Sequence, residues 1–497
     1  MADGSPLWLF GDQLGEHFHG GPNAHRHVLL IESAAALSRH RYHRQKLHLM
    51  LYGIRRLAAE LGDRATVVSA ATYRAGLAKF GHPVVVHEPG SHRAAGLVQR
   101  LTQDETVQEI FPARGFLLAR ADFQRWAADR RRFVLEDFYR DQRRRFGVLV
   151  EPDGEPAGGR WNLDKDNRGG PPKQSTMGVA AAFRPQEDEI DDEVRGYLDR
   201  LSADGRINPA GADGPRLFAA SRHEAGEALG SFLDGRLATF GMYQDAMLES
   251  DWSMSHALLS VPLNLGLLDP MLVVRAAESR YAQGLAPLNS VEGFIRQILG
   301  WREWVWHMYW HLGPGYLRRN ELRAGSRLPR WWRDLDADKV TARCLSTALA
   351  GVRDRGYAHH IQRLMILGNH ALQRGYGPRA LTDWFATSFV DGFPWVMPAN
   401  VIGMSQYADG GIVATKPYAA GGAYINRMSD SCRSCYFDPR QRLGARACPF
   451  TAGYWAFLDR TADRLRGNHR MAQPLRGLAR LANLPDVVAQ EKARTRF

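Results

Sequence analysis

Four cysteines, the only ones in the 497 residues, have the spacing of ligands for one metal centre. Cys432 and Cys435 form a Cys-x-x-Cys pair, Cys448 follows after twelve residues and precedes Pro449, and Cys344 lies 88 positions before the pair. A proline directly after a ligating cysteine is found in ferredoxins. Four thiolates hold either an iron–sulfur cluster or a tetrahedral zinc ion. The distant fourth ligand favours a cluster buried between helices, with zinc and unligated core cysteines as the alternatives.

Two adjacent histidines, His359 and His360, stand in a stretch with helical periodicity. Its apolar stripe consists of Tyr357, Ile361, Leu364, Met365 and Leu372, and Gly375 ends it. A helical projection places His360 at the border of this stripe and His359 roughly opposite, near Arg363. An imidazole that titrates near neutral pH can donate a proton to a reacting base. From the residues alone, the alternative is a pair of core histidines whose hydrogen bonds are satisfied.

The overall charge indicates a polyanionic partner. The formal net charge is +12 and the pI is about 9.7, which favours nucleic acid. The alternative is an arginine-rich protein whose cations are simply solvated. The chain has no run of eighteen apolar residues, and Met1–Asp3 begin no secretory signal. We therefore expect a cytoplasmic protein, a monomer, with no membrane partner.

Short apolar runs that alternate with helical stretches predict a parallel sheet near the N-terminus. The runs are Pro6–Gly11, His27–Ile31, Ala65–Ser69 and Pro83–His87, and Tyr42–Leu61 is the clearest helix between them. Ligands of such doubly wound sheets bind at the carboxyl ends of strands. Asp12, Gln13 and Glu32 lie at these ends, where ordinary turn and capping chemistry is the alternative.

The rest of the chain predicts a connector followed by an all-helical domain. Residues 120–145 have a basic helical pattern, and residues 151–174 are rich in glycine, proline and charge, as in a solvated linker. From about Ala219 onward only helical periodicity persists, most clearly over Val291–Trp310. The predicted organisation is an α/β domain over residues 1–130, a connector over 131–218 and an all-α domain over 219–497.

Several motifs together resemble one known family. They are Gly11–Leu14, Tyr243–Met247, Gly300–Glu303, Tyr357–Met365, Gly403–Gly410, Lys416–Tyr418 and Tyr424–Asp430. With the four cysteines, these stretches resemble the bacterial iron–sulfur photolyases and cryptochromes, the prokaryotic (6-4) photolyase group. The resemblance extends over nearly the whole chain and is most specific from His359 to Cys448.

The resemblance implies an architecture and an activity. The α/β domain would be an antenna domain, and the helical domain would hold FAD and the [4Fe-4S] cluster. Light-excited reduced FAD would pass an electron to a pyrimidine (6-4) pyrimidone lesion flipped out of damaged DNA. The antenna chromophore in this group is often 6,7-dimethyl-8-ribityllumazine.

The resemblance also assigns roles to particular residues. The residues that would bind FAD are His256, Leu258, Leu259, Ser260, Gln297, Arg302, Asp391 and Asn400. Among them, Ser260 matches the usual phosphate clamp, and Arg302 could pair with phosphate. A helix-surface salt bridge is the alternative for Arg302. For the lesion they are His360 as proton donor with His359, Tyr418, Tyr424 and Asp245. Asp12, Gln13 and Glu32 would face the antenna. Trp384 would pass electrons to the flavin, with Trp332 or Trp331 continuing toward the surface.

The sequence departs from this family at several positions. Phe385 and Phe393 replace tyrosines, and Met397 replaces a glutamate close to the flavin. Ala36 and Arg39 alter the antenna segment. Met397 supports the alternative of a blue-light photoreceptor without repair activity. A light-independent, nucleic-acid-binding iron–sulfur protein of the primase type is supported by the cysteines alone.

Overall fold

The N-terminal part of the chain forms a five-stranded parallel sheet. The computed structural model describes residues 4–174 and 176–497, so the expectation for Met1–Asp3 lies outside the described residues. The strands are β1 (Leu7–Leu9), β2 (Val28–Ser33), β3 (Ala65–Ala70), β4 (Val84–His87) and β5 (Val107–Phe111). They are ordered β3-β2-β1-β4-β5, which is a doubly wound arrangement.

Four of these strands were predicted because buried parallel strands read as continuous apolar runs. Every residue of β1, β2 and β4 is buried. Strand β5 was not predicted. It lies at the edge of the sheet, and its central residues Gln108, Glu109 and Ile110 are exposed, so no apolar run marks it.

The remainder is helical, as the sequence predicts. Around the sheet the helices are Glu16–His19, Ala34–Leu37, Arg44–Leu61, Tyr73–Phe80, His92–Gln103, Arg120–Ala128, Leu135–Phe146 and Glu189–Ala203. Beyond them are Arg222–Gly235, Leu237–Tyr243, Ser260–Asn264, Pro270–Ala282, Leu288–Ile295, Glu303–Leu312, Arg330–Arg333, Arg343–Arg355, Asn369–Arg374, Pro378–Ser388, Gly422–Met428, Pro449–Leu465, Ala472–Ala479 and Leu484–Ala493. No helix in the described part of the chain is long and apolar enough to cross a membrane.

Three segments of the helical domain are wound as π-helix. They are Arg296–Arg302, Gln362–Gly368 and Pro398–Ser405. The first joins two α-helices into one continuous helix over the predicted range Val291–Trp310. Such wide turns are rare and frequently occur at functional sites. The first segment contains the predicted site residues Gln297 and Arg302, and the third contains Asn400. The second contains Arg363, which binds the predicted site residue Asp391.

The predicted connector is not a solvated linker throughout. Its helix Glu189–Ala203 packs against Arg44–Leu61 of the α/β domain, and Asn167 is fully buried. The basic stretch over residues 120–145 is two helices, separated between Ala128 and Leu135. One apolar cluster contains residues from both sides of the connector, for example Leu30 and Leu263. The two domains therefore share a core, and the boundaries at 130 and 218 stay predictions.

A buried ion network fixes the connector to both domains. Arg216 donates to Asp191 (2.9 and 3.1 Å) and to Glu224 (2.8 and 2.6 Å), and His48 is 2.7 Å from Asp191. Burial alone would raise the pKa of Asp191, but the hydrogen bonds from His48 and Arg216 hold it well below its usual range. Because the folded pKa is lowered, this contribution to stability is present above about pH 4 and is lost as the pH falls further.

We expect Arg216→Met to destabilise the protein by about 3–5 kcal/mol, because it leaves two buried carboxylates without their partner. Chemical unfolding followed by circular dichroism measures the effect. The matched control is Arg379→Met, which removes an exposed pair with Asp383 on one helix and should cost less than about 0.5 kcal/mol. Equal effects of the two changes would contradict the structural role of the network.

Candidate functional site

A histidine–aspartate pair lies at the surface of the helical domain. His360 Nε2 is 3.3 Å from Asp245 Oδ1, and the His360 side chain is 53% exposed. Burial and then Asp245 raise the pKa of Tyr424 to about 12, and Tyr418 has a raised pKa from burial, with Asp164 and Asp245 contributing. Both phenols therefore stay protonated at neutral pH and can donate hydrogen bonds. Asp245 is thus in contact with His360 and within electrostatic reach of both tyrosines.

The exposures of His359 and His360 are the reverse of those that the helical projection predicts. His359 is buried, and His360, which was predicted at the border of the apolar stripe, is exposed. The helix begins only at His360, so residues 357–359 do not follow the helical projection used for the prediction. His359 thus points into the domain, behind the surface pair.

Three imidazoles form a cluster between the surface and the interior. The rings of His256 and His359 are stacked with centroids 4.4 Å apart, and His360 approaches His256 edge-on at 5.6 Å. Burial lowers the pKa of His256 and His359 well below the usual value, with neighbouring cationic groups adding to the shift, so both are neutral. His256 Nε2 and both nitrogens of His359 have no hydrogen-bond partner among the described residues. Buried polar atoms without partners indicate a ligand site.

Arg236 is a second group that lacks its partner. The side chain lies between two helices and is 2% exposed, and its Nε and Nη1 have no partner in the described part of the chain. Burial lowers its pKa to about 10, and His256 lies within its electrostatic reach. A buried guanidinium without a counter-ion is costly, so this position suits an anionic ligand group such as phosphate. Sequence reasoning missed Arg236 because nothing in its neighbourhood distinguishes it from the other arginines.

We expect Arg236→Met to weaken FAD retention about 10- to 100-fold, since hydrogen bonds to charged groups contribute about 1.5–3 kcal/mol. Flavin content after gel filtration and titration of the apoprotein with FAD measure the loss. Arg466→Met, at a side chain that is 76% exposed, is the control and should retain full flavin. Unchanged flavin content in Arg236→Met would exclude this anion-binding role.

Two predicted flavin contacts meet directly. Ser260 Oγ donates to Asp391 Oδ2 (2.7 Å), and Arg363 binds the same carboxylate with both terminal nitrogens (2.8 and 3.0 Å). The bidentate pair fixes the orientation of the carboxylate. Arg363 was not predicted as a site residue, because its sequence position showed only that it neighbours His359 on the helix.

The other predicted flavin residues are spread over the same region. Leu259 is buried, and Leu258 has the left-handed backbone conformation (φ 57°), which is strained for a leucine. Gln297 and Asn400 each donate to the carbonyl four residues earlier (2.9 and 2.8 Å) and lie on π-helical segments. Their flavin contacts stay predictions.

Arg302 has a long ion-pair contact with neighbouring Glu303 (3.8 Å), but the pair is buried and does not lie on a helix surface. Arg302 also donates to the carbonyls of Gly115 (2.7 Å) and Leu263 (3.1 Å), and its guanidinium is 4.3 Å from the ring centre of Phe116. Gly115 precedes the connector and Leu263 belongs to the helical domain, so Arg302 joins the two parts of the chain. A phosphate contact through the same side chain stays a prediction.

The predicted antenna residues have partners within the protein. Glu32 accepts from Arg55 Nε (2.7 Å) and from Ser69 Oγ (3.0 Å), and Gln13 donates to the carbonyl of Glu88 (3.1 Å). Burial raises the pKa of Asp12 to about 6. Glu32 and Gln13 thus have the turn and pairing roles that the sequence left as the alternative, and an additional antenna role remains a prediction.

Three tryptophans form a continuous line from the interior toward the surface. The ring centres of Trp384 and Trp332 are 5.2 Å apart, and those of Trp332 and Trp331 are 5.6 Å apart. Trp384 and Trp332 are buried, whereas Trp331 is partly exposed. The order supports the predicted electron route through Trp384 and Trp332, with Trp331 at its outer end.

The four cysteines converge from three segments. Cys344 lies in the first turn of one helix, Cys432 and Cys435 belong to a turn, and Cys448 directly precedes the helix Pro449–Leu465. Burial, followed by Cys448 and Cys435, raises the pKa of the Cys432 thiol to about 12. Burial and the other three sulfurs likewise raise the pKa of Cys344. The four sulfurs therefore lie within electrostatic reach of one another, as the ligands of one metal centre must.

The three departures expected near the flavin, Phe385, Phe393 and Met397, are buried. Met397 is buried in the apolar cluster that contains Trp384 and Phe385. Phe393 is also buried, with Lys46 Nζ 5.4 Å from its ring centre. No carboxylate therefore takes the place of the family's glutamate at position 397.

The fold defined by this sheet and helical domain is that of photolyases. The crystal structure of a bacterial class III photolyase from Agrobacterium tumefaciens superposes with a TM-score of 0.58 at 16% identity, over 93% of this chain and 98% of that chain. A family profile described as "Deoxyribodipyrimidine photo-lyase-related protein" matches residues 7–208. The predicted architecture, an α/β domain followed by an all-α domain, is confirmed.

Sequence comparison identifies the family. A protein named "(6-4) photolyase" from Agrobacterium fabrum (strain C58 / ATCC 33970) is 39% identical over 495 residues, 95% of each protein. The chain therefore belongs to the bacterial photolyase and cryptochrome family. "Uncharacterized protein R855" of Acanthamoeba polyphaga mimivirus is 36% identical over 61 residues, 12% of this chain and 50% of that protein. Photolyases generally bind FAD, so a flavin is the expected cofactor.

Proposed function

We propose that this protein repairs pyrimidine (6-4) pyrimidone photoproducts in DNA by light-driven electron transfer. The supporting observation is the His360–Asp245 pair, with Tyr418 and Tyr424 in the electrostatic reach of Asp245. His360 adjoins the buried imidazoles of His256 and His359, which have nitrogens without a hydrogen-bond partner among the described residues. The near-identical length and 39% identity to a protein named (6-4) photolyase support the same activity. The cytoplasmic location and the monomeric state of the protein remain predictions.

Arg236, His256, His359 and Asp391 have the chemistry to bind FAD. Arg236 offers a buried cation for the pyrophosphate, and the nitrogens of His256 and His359 offer further hydrogen bonds. Asp391, held by Ser260 and Arg363, offers a fixed carboxylate for the N–H groups of a flavin ring. When bound, reduced and illuminated, FAD supplies the single electron that the repair of this lesion requires.

His360 would handle the proton of the reaction. The 5′ base of a (6-4) lesion must regain a hydroxyl group, so its repair needs a group that donates and accepts protons at the lesion. His360 is exposed at the surface, where a flipped lesion could reach it, and Asp245 can fix its orientation and tautomer through the 3.3 Å contact. Tyr418 and Tyr424 would hold the polar edges of the flipped bases.

We infer that the four cysteines hold a [4Fe-4S] cluster. Cys344, Cys432, Cys435 and Cys448 converge from three segments, and the family to which the chain belongs supports iron–sulfur ligation. Four thiolates also suit tetrahedral zinc, and the iron and sulfide content of the protein distinguishes the two.

The decisive experiment illuminates a lesion-bearing oligonucleotide with fully reduced protein and follows recovery of the undamaged strand. We expect recovery that depends on blue light, and DNA binding that weakens steeply with salt, given the charge of +12. Normal DNA binding and flavin reduction without recovery would contradict repair. That outcome would leave the photoreceptor, which Met397 favours because it stands where the family resemblance expects a glutamate close to the flavin.

We expect no tightly bound lumazine in the purified protein. The carboxylate of Glu32 is already engaged by Arg55 and Ser69, so holding a chromophore would cost these contacts. Absorption spectra before and after extensive washing, with chromatography of the released chromophores, give the occupancy. Stoichiometric lumazine that survives washing would contradict this prediction.

A further inference from the structure

A buried lysine of the α/β domain reaches into the helical domain. Lys46 lies in the first turn of the helix Arg44–Leu61 and is 4% exposed. Its ammonium group donates to the carbonyls of Ala386 (2.7 Å), Phe389 (3.3 Å) and Gly392. Buried carbonyls need a donor, so this one side chain ties together three points of a single turn.

The turn that Lys46 binds carries Asp391, the carboxylate proposed to face the flavin. It follows the helix Pro378–Ser388, whose last carbonyls have no partner within the helix. A cation is favourable there because the helix dipole is negative at this end. A Cβ at Gly392 would lie 2.9 Å from the carbonyl oxygen of Ala386, which shows how tightly the turn is folded around the ammonium group.

Lys46 and Asp391 are also coupled by their charges. Burial lowers the pKa of Lys46 to about 7, and the negative charge of Asp391 opposes this shift. Ser260 and Arg363 hold the side chain of Asp391, whereas Lys46 holds the backbone before and after it. Lys46 therefore restrains the part of the turn from which the carboxylate extends.

The preceding residue makes a contact between the same two domains without reaching this turn. Gln45 is also 4% exposed and donates to the carbonyl of Asp354 (2.8 Å) in the helix Arg343–Arg355. If Lys46 served only to dock the domains, its loss and the loss of Gln45 would have the same effect on FAD. Gln45 is therefore the matched comparison for Lys46.

We propose that Lys46 is a positioning residue of the flavin site, which holds the turn around Asp391 so that the carboxylate meets the flavin ring. The inference rests on the proposed role of Asp391 toward FAD, a role that repair and photoreception share. A binding group is effective only when the residues behind it fix its position to within about 0.5 Å. Through Lys46, the α/β domain takes part in holding the cofactor of the helical domain.

The first test follows FAD release when the holoprotein is diluted, using the fluorescence of free FAD. We expect Lys46→Met, which keeps the length of the side chain but has no donor, to weaken FAD binding about ten-fold. Gln45→Met should stay within about two-fold of wild type. Lys46→Gln, which keeps a shorter donor, replaces Lys46→Met if that variant does not fold, and should weaken binding about three-fold. Equal weakening at positions 45 and 46 would overturn the proposal.

A double-mutant cycle tests whether Lys46 acts through Asp391. Asp391→Asn should weaken FAD binding about ten-fold, and adding Lys46→Met should weaken it less than about two-fold further. The effects of Lys46→Met and Arg236→Met should instead multiply, because Arg236 is proposed to bind the pyrophosphate, an independent part of FAD. Effects of Lys46→Met and Asp391→Asn that multiply would overturn the positioning role.

The outcomes separate this inference from the proposed function. Unchanged FAD binding in Asp391→Asn would overturn the flavin role of Asp391 and, with it, the role of Lys46. Weaker binding in Asp391→Asn but not in the Lys46 variants would overturn the role of Lys46 alone. Wild-type protein that shows the coupling between Lys46 and Asp391 but performs no repair would overturn the proposed repair and support the positioning role.

Discussion

Replacing His360 by Ala is expected to reduce light-driven repair of (6-4) lesions at least about 100-fold while FAD stays bound. General acid–base catalysis contributes about 10²–10⁴-fold to the rate. His360 is the imidazole that we propose to face the lesion, and it contacts the carboxylate of Asp245. FAD retention should persist because the unpartnered nitrogens belong to His256 and His359 behind it. Repair yield per absorbed photon at saturating DNA measures the effect.

Two control variants distinguish the loss of a proton donor from a general disturbance of the candidate site. His223→Ala, at a histidine that is 80% exposed on the helix Arg222–Gly235, should repair like wild type. Asp245→Asn should lower repair less than His360→Ala, since it disturbs only the orientation of the imidazole. Wild-type repair in His360→Ala, with normal lesion binding, would show that another group handles the proton.

Replacing Cys344 by Ser is expected to lower the yield of soluble protein more than about ten-fold. Cys344 lies in the first turn of the helix Arg343–Arg355, which packs against the segment that carries Arg363, and the other three cysteines come from residues 432–448. Without the proposed cluster these distant segments would lose their link, because metal binding contributes directly to folding. Yield, iron content and sulfide content of anaerobically prepared protein are the measurements.

Ser434→Ala is the matched control, since Ser434 is exposed between the two paired cysteines and should leave yield and iron unchanged. Wild-type protein should contain four irons and four sulfides per chain. Stoichiometric zinc in place of iron would show that the cluster assignment is wrong, even if Cys344→Ser loses solubility.

The sequence predicted those parts of the fold whose local pattern matches their environment. Strands β1, β2 and β4 are buried on both faces and read as apolar runs, whereas the exposed edge strand β5 has no such run. The histidine pair shows the same limit at the site. A helical projection works only within a helix, and because the helix begins at His360, the exposures of His359 and His360 came out reversed.

Residues that act through distant partners could not be predicted from local pattern. Arg236 is distinguished by its burial and by two guanidinium nitrogens that have no hydrogen-bond partner among the described residues, and both features depend on the whole helical domain. Arg363 is a site residue because Asp391, 28 positions later, folds back onto it. The family resemblance supplied Ser260 and Asp391, and the structure added that the two side chains touch each other.

The three π-helical segments mark places where the chain can lose a residue without turning the helix beyond it. Each residue of an α-helix advances the helical phase by about 100°, and a π-helical turn accommodates an extra residue without shifting the phase of the flanking turns. Removing one residue from Gln362–Gly368 would therefore let the segment relax to α-helix while the residues beyond it keep their orientation relative to His360. The same deletion in the α-helix Arg343–Arg355 would rotate the residues beyond it by about 100°. Side chains carried by the wide turn itself, such as Arg363, would still be displaced.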